Sequence, residues 1–392
     1  MEFIKVQGLE YEKRIFEGLA EYIGWTRVYS IIKETCKPVK RYFVRVNTLK
    51  ITREKILERL KEEGLTAYAD GILSEAIYFE VEGPFKVPIA RKGIIVDKRT
   101  AESVFQGANL YAPGILRGDP VKKGDEVTVY SPNGIAVGYG IAEMDIGDAM
   151  QKRRGLAVRI IVSRYRAPKI RELDEYKKGL LYDQSYPAML VARILDPKPG
   201  ETIVDLCAAP GGKATHVAQI MGDRGLVVAV DRSRKKVEKL AENSRRLGLK
   251  SIRILLEDSR RLHVKYPSLK ADKVILDPSC SSLGVRPKLI ERKTFRDIIS
   301  CFMYQQQFLP AASSLLKKNG ILVYSTCTLT LEENEHIVRV LVEKYGFEVE
   351  EQDFHVAERG LGDSEWCPFL QRFHPDNMDT PGFFIAKLRK KT

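Results

Sequence analysis

The chain has 392 residues, 44% of them hydrophobic and 30% charged, which excludes a disordered polymer and leaves room for two or three domains with separate cores. No apolar run approaches the ~18 residues of a membrane span, and Met1 to Phe16 lacks the apolar stretch of a signal peptide, so no membrane contact and a cytoplasmic location are expected. A formal charge of +13 points to a polyanionic partner, and six cysteines without a Cys-x-x-Cys pair argue against a zinc site or a disulfide framework.

Three regions follow one another. Residues 1–88 hold a strand, Tyr42 to Val46, in which apolar and basic residues alternate, and then a helix, Arg53 to Glu63. Residues 89–166 read as a small β-barrel. Runs such as Glu126 to Tyr130 and Gly155 to Val162 alternate with turns at Pro113-Gly114, Lys123-Gly124-Asp125 and Pro132-Asn133-Gly134. At the end of this region Lys152, Arg153, Arg154, Arg159, Arg164, Arg166, Lys169 and Arg171 form a basic stretch uninterrupted by acids, which suits phosphate contacts. Residues 167–392 alternate strands (Thr202 to Asp205, Leu226 to Val230, Ile252 to Leu256, Lys273 to Leu276, Ile321 to Tyr324) with helices that include Ser233 to Leu247 and Ile298 to Leu316. That order is the pattern of a Rossmann-like α/β domain with a mostly parallel sheet.

Ligands of such sheets gather beyond the carboxyl ends of the strands. Asp205, Asp231, Asp258 and Asp277 stand where successive apolar strands stop. After the first comes a turn of small residues, Cys207-Ala208-Ala209-Pro210-Gly211-Gly212-Lys213, which lets a ligand approach the backbone. It is neither Gly-x-Gly-x-x-Gly nor a P-loop, and S-adenosylmethionine, which has no phosphate, demands neither. Asp231 is placed to accept hydrogen bonds from ribose hydroxyls, Asp258 to meet an adenine amino group, and Lys236 to shape the ribose side. Any one of these aspartates is equally well explained as a helix N-cap, but four at successive strand ends favour a ligand site. Two cysteines lie beyond neighbouring strands: Cys280 after the fourth, in Asp277-Pro278-Ser279-Cys280, and Cys327 after the fifth, in Ser325-Thr326-Cys327-Thr328. A cysteine in a polar loop near a lysine holds more thiolate than one in an apolar core.

Together, Asp-x-Cys-Ala-Ala-Pro-Gly-Gly-Lys at 205–213, Asp-x-x-Cys-Ser at 277–281 and Ser-Thr-Cys-Thr at 325–328 resemble the Nol1/Nop2/Sun (RsmB-type) family of RNA cytosine-5 methyltransferases. The chain has Asp277-Pro278-Ser279-Cys280 where that family more often has Asp-Ala-Pro-Cys, with the Asp-to-Cys spacing kept. Arg45-Val46-Asn47-Thr48-Leu49-Lys50 is similar to the family's N-terminal RNA-binding element. Residues 89–166 resemble a PUA domain, through Ile95-Val96-Asp97, Ala101, Val104, the segment from Gly107 to Gly114, and Lys123-Gly124-Asp125.

The resemblance implies S-adenosylmethionine as cofactor, Cys327 as the nucleophile that adds to cytosine C6, and Cys280 as the residue that assists product release. Asp277 and Lys213 are implied in catalysis, and Cys207 to Lys213, Asp231, Lys236, Asp258 and Asp277 in the cofactor and cytosine pocket. A PUA domain between the N-terminal element and the catalytic domain is similar to a subgroup that methylates tRNA at position 72. The expected partner is therefore the acceptor stem and 3′ end of tRNA, and the expected enzyme a monomer. Ribosomal RNA is the alternative substrate. An RNA-binding protein with a vestigial catalytic fold is the alternative from another class, disfavoured because every catalytic residue type is present.

Overall fold

The computed structural model describes residues 2–391. Its largest sheet has nine strands, with five parallel ones in the order Ile252–Leu256, Leu226–Asp231, Thr202–Asp205, Ala271–Leu276, Leu316–Thr326. Phe383–Lys390 continues it antiparallel. The apolar runs are continuous because both faces of these strands are covered. Ile203, Val227, Ile275 and Val323 face one core, shared with helices Tyr186–Leu195 and Gly212–Ile220. Their neighbours Val204, Val228, Val274 and Leu322 face the other, shared with helices Leu309–Leu315 and Glu335–Tyr345. The strand order reverses between Thr202–Asp205 and Ala271–Leu276, which opens a crevice at their carboxyl ends.

Helix Arg234–Leu247 forms because Leu240, Asn243, Ser244 and Leu247 recur on one buried face. It stops at Gly248, whose φ of 80° suits a residue without Cβ. The single helix expected from Ile298 to Leu316 is instead two, Phe295–Gln306 and Leu309–Leu315, and Leu316 already belongs to the next strand. Pro310 explains the break: it lacks an N–H, so it sits in the first turn of a new helix rather than within an old one.

Earlier residues fold into smaller sheets, two of which are completed by strands from later in the chain that lie outside the nine-stranded sheet. Arg41–Val46, Ala76–Glu80 and Tyr68–Ala69 join Leu181–Asp183 in a four-stranded sheet. The hairpin Phe3–Val6 and Leu9–Glu12 pairs with Glu291–Lys293. Between them, Lys92–Val96, Leu110–Tyr111, Ile115–Gly118, Glu126–Tyr130, Ala136–Ala142 and Leu156–Ser163 make a six-stranded sheet around Val96, Val104, Leu110, Val127 and Val129. Its helix Lys98–Val104 is capped by Asp97 and docks on the catalytic domain through Lys98 to Glu291 at 2.9 Å and Glu102 to the Leu289 amide at 3.3 Å.

Within the motif beginning at Arg45, Arg45 and Asn47 face inward rather than toward solvent, while Thr48, Leu49 and Lys50 are exposed. Arg45 is fully buried, with its guanidinium on Gln184 Oε1 at 2.7 Å, the Gly212 carbonyl at 2.8 Å and Thr215 Oγ1 at 2.8 Å. Asn47 donates to the carbonyls of Gly179 and Leu247, and Lys50 to those of Lys178 and Arg246. These polar side chains satisfy buried or turn carbonyls, so they join the N-terminal sheet to the catalytic domain. Among the described residues no helix is long and apolar enough to cross a membrane.

Candidate active site

Beyond the strand ends lies a cavity of about 600 Å³, within the range of small-molecule sites. Cys207, Ala209, Asp231, Lys236, Asp258, Asp277, Cys280 and Cys327 line it. The remaining residues of the small-residue turn form its frame. The Ala208 amide bonds to the Val230 carbonyl at 3.0 Å and the Pro210 carbonyl accepts from Asn243 at 3.0 Å. Gly211 has φ 113°, and a Cβ there would come within 2.6 Å of Leu240 Cδ1, so only glycine fits. Gly212 begins the next helix and offers its carbonyl to Arg45.

Three of the strand-end aspartates turn back on the chain in the same way. Asp205 accepts from the Cys207 amide at 3.2 Å, Asp231 from the Ser233 amide at 2.9 Å, and Asp258 from the Arg260 amide at 3.1 Å. Each shapes its own loop, as aspartate does in Asx turns. The local role and the ligand role therefore coexist on one carboxylate. For Asp231 the second oxygen remains for the cavity, whereas Asp258 also ion-pairs with Arg260 at 2.5 Å. Asp205 is buried, with one oxygen unpartnered, and burial raises its carboxyl to about 7.

Asp277 differs. It accepts from Lys213 Nζ at 2.5 Å and from Ser325 Oγ at 3.1 Å. Burial would lower the Lys213 ammonium, but the Asp277 carboxylate outweighs it and holds the group above its ordinary value. This ion pair flanks the two thiols, which meet Sγ to Sγ at 3.3 Å. Asp277 stands beside the pair rather than between the sulfurs. The hydrogen bond between the thiols, reinforced by Ser282 Oγ and Lys213, favours the Cys327 thiolate against its burial. The same hydrogen bond, with burial, pushes the Cys280 thiol up. Burial and the Asp205 charge push up the Cys207 thiol, so Cys327 is the cavity's most acidic cysteine.

The opposite wall was not foreseen. Tyr304 and Phe308 pack edge to face at 5.2 Å, and the guanidinium groups of Arg232 and Arg260 each lie 5.5 Å from the Tyr304 ring. The spacing of these aromatics, four apart on a helical stretch, was the available signal. Arg99 also lines this cavity, carried there by the docked helix Lys98–Val104, and no local pattern links it to the strand ends.

Arg99 faces a second cavity too, of about 730 Å³, lined by Asn109, Tyr111, Lys169 and Arg171 among others. The basic stretch is less available to phosphates than its composition suggests. Arg153 caps the Ile115 and Pro113 carbonyls, Arg159 pairs with Glu143, and Arg166 with Glu82. At the end beside this cavity Lys169 reaches Asn109 Oδ1 at 3.3 Å and Arg171 pairs with Asp183 at 3.3 Å, though both side chains stay exposed.

Comparison with known proteins agrees with this architecture. The family described as 16S rRNA methyltransferase RsmB/F matches residues 192–389, a PUA domain matches 92–163, and an RsmF/B-like ferredoxin-like domain matches 30–86. A tRNA (cytosine(72)-C(5))-methyltransferase of Pyrococcus horikoshii is 43% identical over 97% of both chains. The human enzyme of the same description, NSUN6, is 31% identical over 96% of this chain and 89% of its own. The crystal structure of NSun6 from Pyrococcus horikoshii with SFG, an S-adenosylmethionine analogue, superposes with a TM-score of 0.89 at 42% identity, covering 97% of this chain and 99% of that one.

Proposed function

Because the chain belongs to the RsmB/RsmF family of S-adenosylmethionine-dependent RNA cytosine-5 methyltransferases, we propose that it methylates C5 of the cytidine at position 72 of tRNA through a bond between Cys327 and C6. The observation that carries this reading is the thiol pair at 3.3 Å, flanked by Lys213 and Asp277 and opening into a cavity with an acid for a ribose and an aromatic wall. Those residues fit the cofactor: Asp231 offers a free carboxylate oxygen, Tyr304 and Phe308 a flat apolar face, and the volume suffices. S-adenosylmethionine supplies a methyl group on a sulfonium, a carrier that departs as a neutral thioether.

Cytosine C5 is too weak a nucleophile to accept that methyl unaided. The Cys327 thiolate adds to C6, and the displaced electron pair moves through the ring toward N3, where the Asp277–Lys213 pair is placed to bond the polar edge of the base. C5 gains enamine character and takes the methyl. A base must then remove the C5 proton, so that the electron pair re-forms C5=C6 and expels the Cys327 thiolate. Cys280 is placed for this. Its thiol is held up chiefly by the bond to Cys327, and that cause disappears once Cys327 is a neutral thioether. The second cysteine is then more readily the thiolate that can accept the C5 proton at the step that needs a base.

The 730 Å³ cavity is where we place the acceptor end, with Arg99, Lys169 and Arg171 toward its phosphates. A duplex stacks C5 and C6 away, and a terminal pair is the cheapest to open. We place the enzyme in the cytoplasm, acting as a monomer. Incubation with labelled cofactor and tRNA transcripts, followed by bisulfite sequencing, tests the assignment. Methylation should map to position 72 and vanish when that cytidine is replaced. Equal activity on a transcript lacking the acceptor stem overturns it.

A further inference from the structure

Behind the thiols lies a buried acid that the mechanism above does not use. Glu333 has no exposed surface, and burial raises its carboxyl above the ordinary range. A carboxylate in such a place is costly unless donors surround it. One oxygen accepts from the Ser281 amide at 2.8 Å and from Gln305 Nε2 at 3.0 Å. The other accepts from Ser281 Oγ at 2.5 Å and Thr330 Oγ1 at 3.1 Å. The Thr328 hydroxyl stands 2.6 Å from the Ser281 hydroxyl and 3.3 Å from the same carboxylate oxygen. Ser281 follows Cys280 in the chain, and Thr328 follows Cys327.

We propose that Glu333 is a positioning residue for the reaction, clamping the loop of Cys280 to the loop of Cys327 and thereby setting the distance between the two thiols. The clamp rests on the roles given above to those cysteines. An acid suits the task because an ionised carboxylate only accepts, and four donors from three separate segments converge on it. Glutamine would turn an N–H₂ toward one set of donors and lose that side of the clamp. The glutamate touches neither sulfur directly, so its effect passes through Ser281 and Thr328. Release of the methylated base is the step most sensitive to it, because that step needs Cys280 at a fixed distance from the carbon bonded to Cys327.

The test compares Glu333→Ala, Glu333→Gln and Ser281→Ala in the full chain, with tRNA and S-adenosylmethionine. Glu333→Ala should lower kcat about 100-fold, the scale of a misplacement near 1 Å. KM for tRNA and cofactor affinity should hold within about twofold, since uniform binding is untouched. A larger fraction of folded enzyme should run as a covalent RNA adduct on denaturing gels. Glu333→Gln and Ser281→Ala each keep part of the clamp and should fall between, near tenfold in kcat. A folded Glu333→Ala enzyme with wild-type kcat, or with the wild-type adduct fraction, overturns the proposal. If Glu333→Ala does not fold, Ser281→Ala decides on the same two readouts. Cys280→Ala run alongside separates the layers. Absence of adduct there removes the release role of Cys280, while the kcat of Ser281→Ala still reports on the clamp.

Discussion

Lys213 Nζ and the Asp277 carboxylate stand 2.5 Å apart, one at the start of a helix and the other at the end of a strand on the far side of the sheet's switch point. The carboxylate holds the Lys213 ammonium in its charged form within a largely enclosed site.

Asp277→Asn should therefore cost more than one hydrogen bond. It leaves the Lys213 ammonium, whose side chain is 13% exposed, without its counter-charge, a loss of about 1.5–3 kcal/mol in stability. Turnover should drop by about 100-fold or more, because a group bonded to the base as charge develops is gone. Lysine bound to a carboxylate has a raised folded-state pKa. Its stabilisation is complete below about pH 10.4 and disappears only as pH rises through the raised value. Melting curves at neutral pH and in alkali, for wild type and Asp277→Asn, check this: the two should converge as alkali removes the ammonium.

The thiol pair makes asymmetric demands. Cys327→Ala should abolish turnover and form no covalent RNA species. Cys280→Ala should still attack and methylate, then stall with RNA attached, giving a slower band on denaturing electrophoresis. The reverse pattern would make Cys280 the nucleophile.

Arg45 offers a test of its inward placement. Arg45→Ala removes three buried hydrogen bonds and exposes the Gly212 carbonyl at the start of the cofactor-loop helix. At about 1 kcal/mol for each bond, a loss near 3 kcal/mol is expected, together with weaker cofactor binding. An RNA-contact residue would behave oppositely, with melting temperature and cofactor affinity intact and only tRNA affinity reduced.

His216 should give the protein an acid-sensitive window. It is fully buried, bonded through Nε2 to Glu75 at 2.8 Å, and burial with the nearby Arg45 charge lowers it to about 4. The unfolded chain takes up this proton below about pH 6.5, while the folded one resists until about pH 4. Stability must fall as pH drops between those values, by about 3 kcal/mol for this one group, and level off below. His216→Gln, which can still donate to Glu75, should flatten the melting temperature across that window.

What could be read beforehand divides along physical lines. The parallel strands were legible because contiguous apolar runs end abruptly at Asp205, Asp231 and Asp277, and the helix after Ser233 because its buried positions recur and Gly248 stops it. Cys280 and Cys327 could be placed at one cleft because the strands before them are neighbours. The Tyr304–Phe308 pair could be read as two aromatics on one helix face, but nothing local says that this face meets the strand ends. Arg45 was misread because an arginine in an alternating strand looks solvent-facing, and its burial depends on Gln184, Gly212 and Thr215, all distant in sequence. Glu333 was overlooked because its donors come from separated segments and no single stretch records the cluster.

The pairing of Leu9–Glu12 with Glu291–Lys293 has a consequence for synthesis on the ribosome. A two-stranded hairpin alone is marginal in water. Leu9, Tyr11, Ile15 and Phe16 end up fully covered, in a core that also takes Leu283, Ile298 and Leu329. At 5–20 residues per second, roughly 15 to 60 s separate emergence of the hairpin from emergence of its third strand. During that interval the hairpin presents an apolar edge with no native partner. A segment made early is thus completed late, and holding chaperones have a target there.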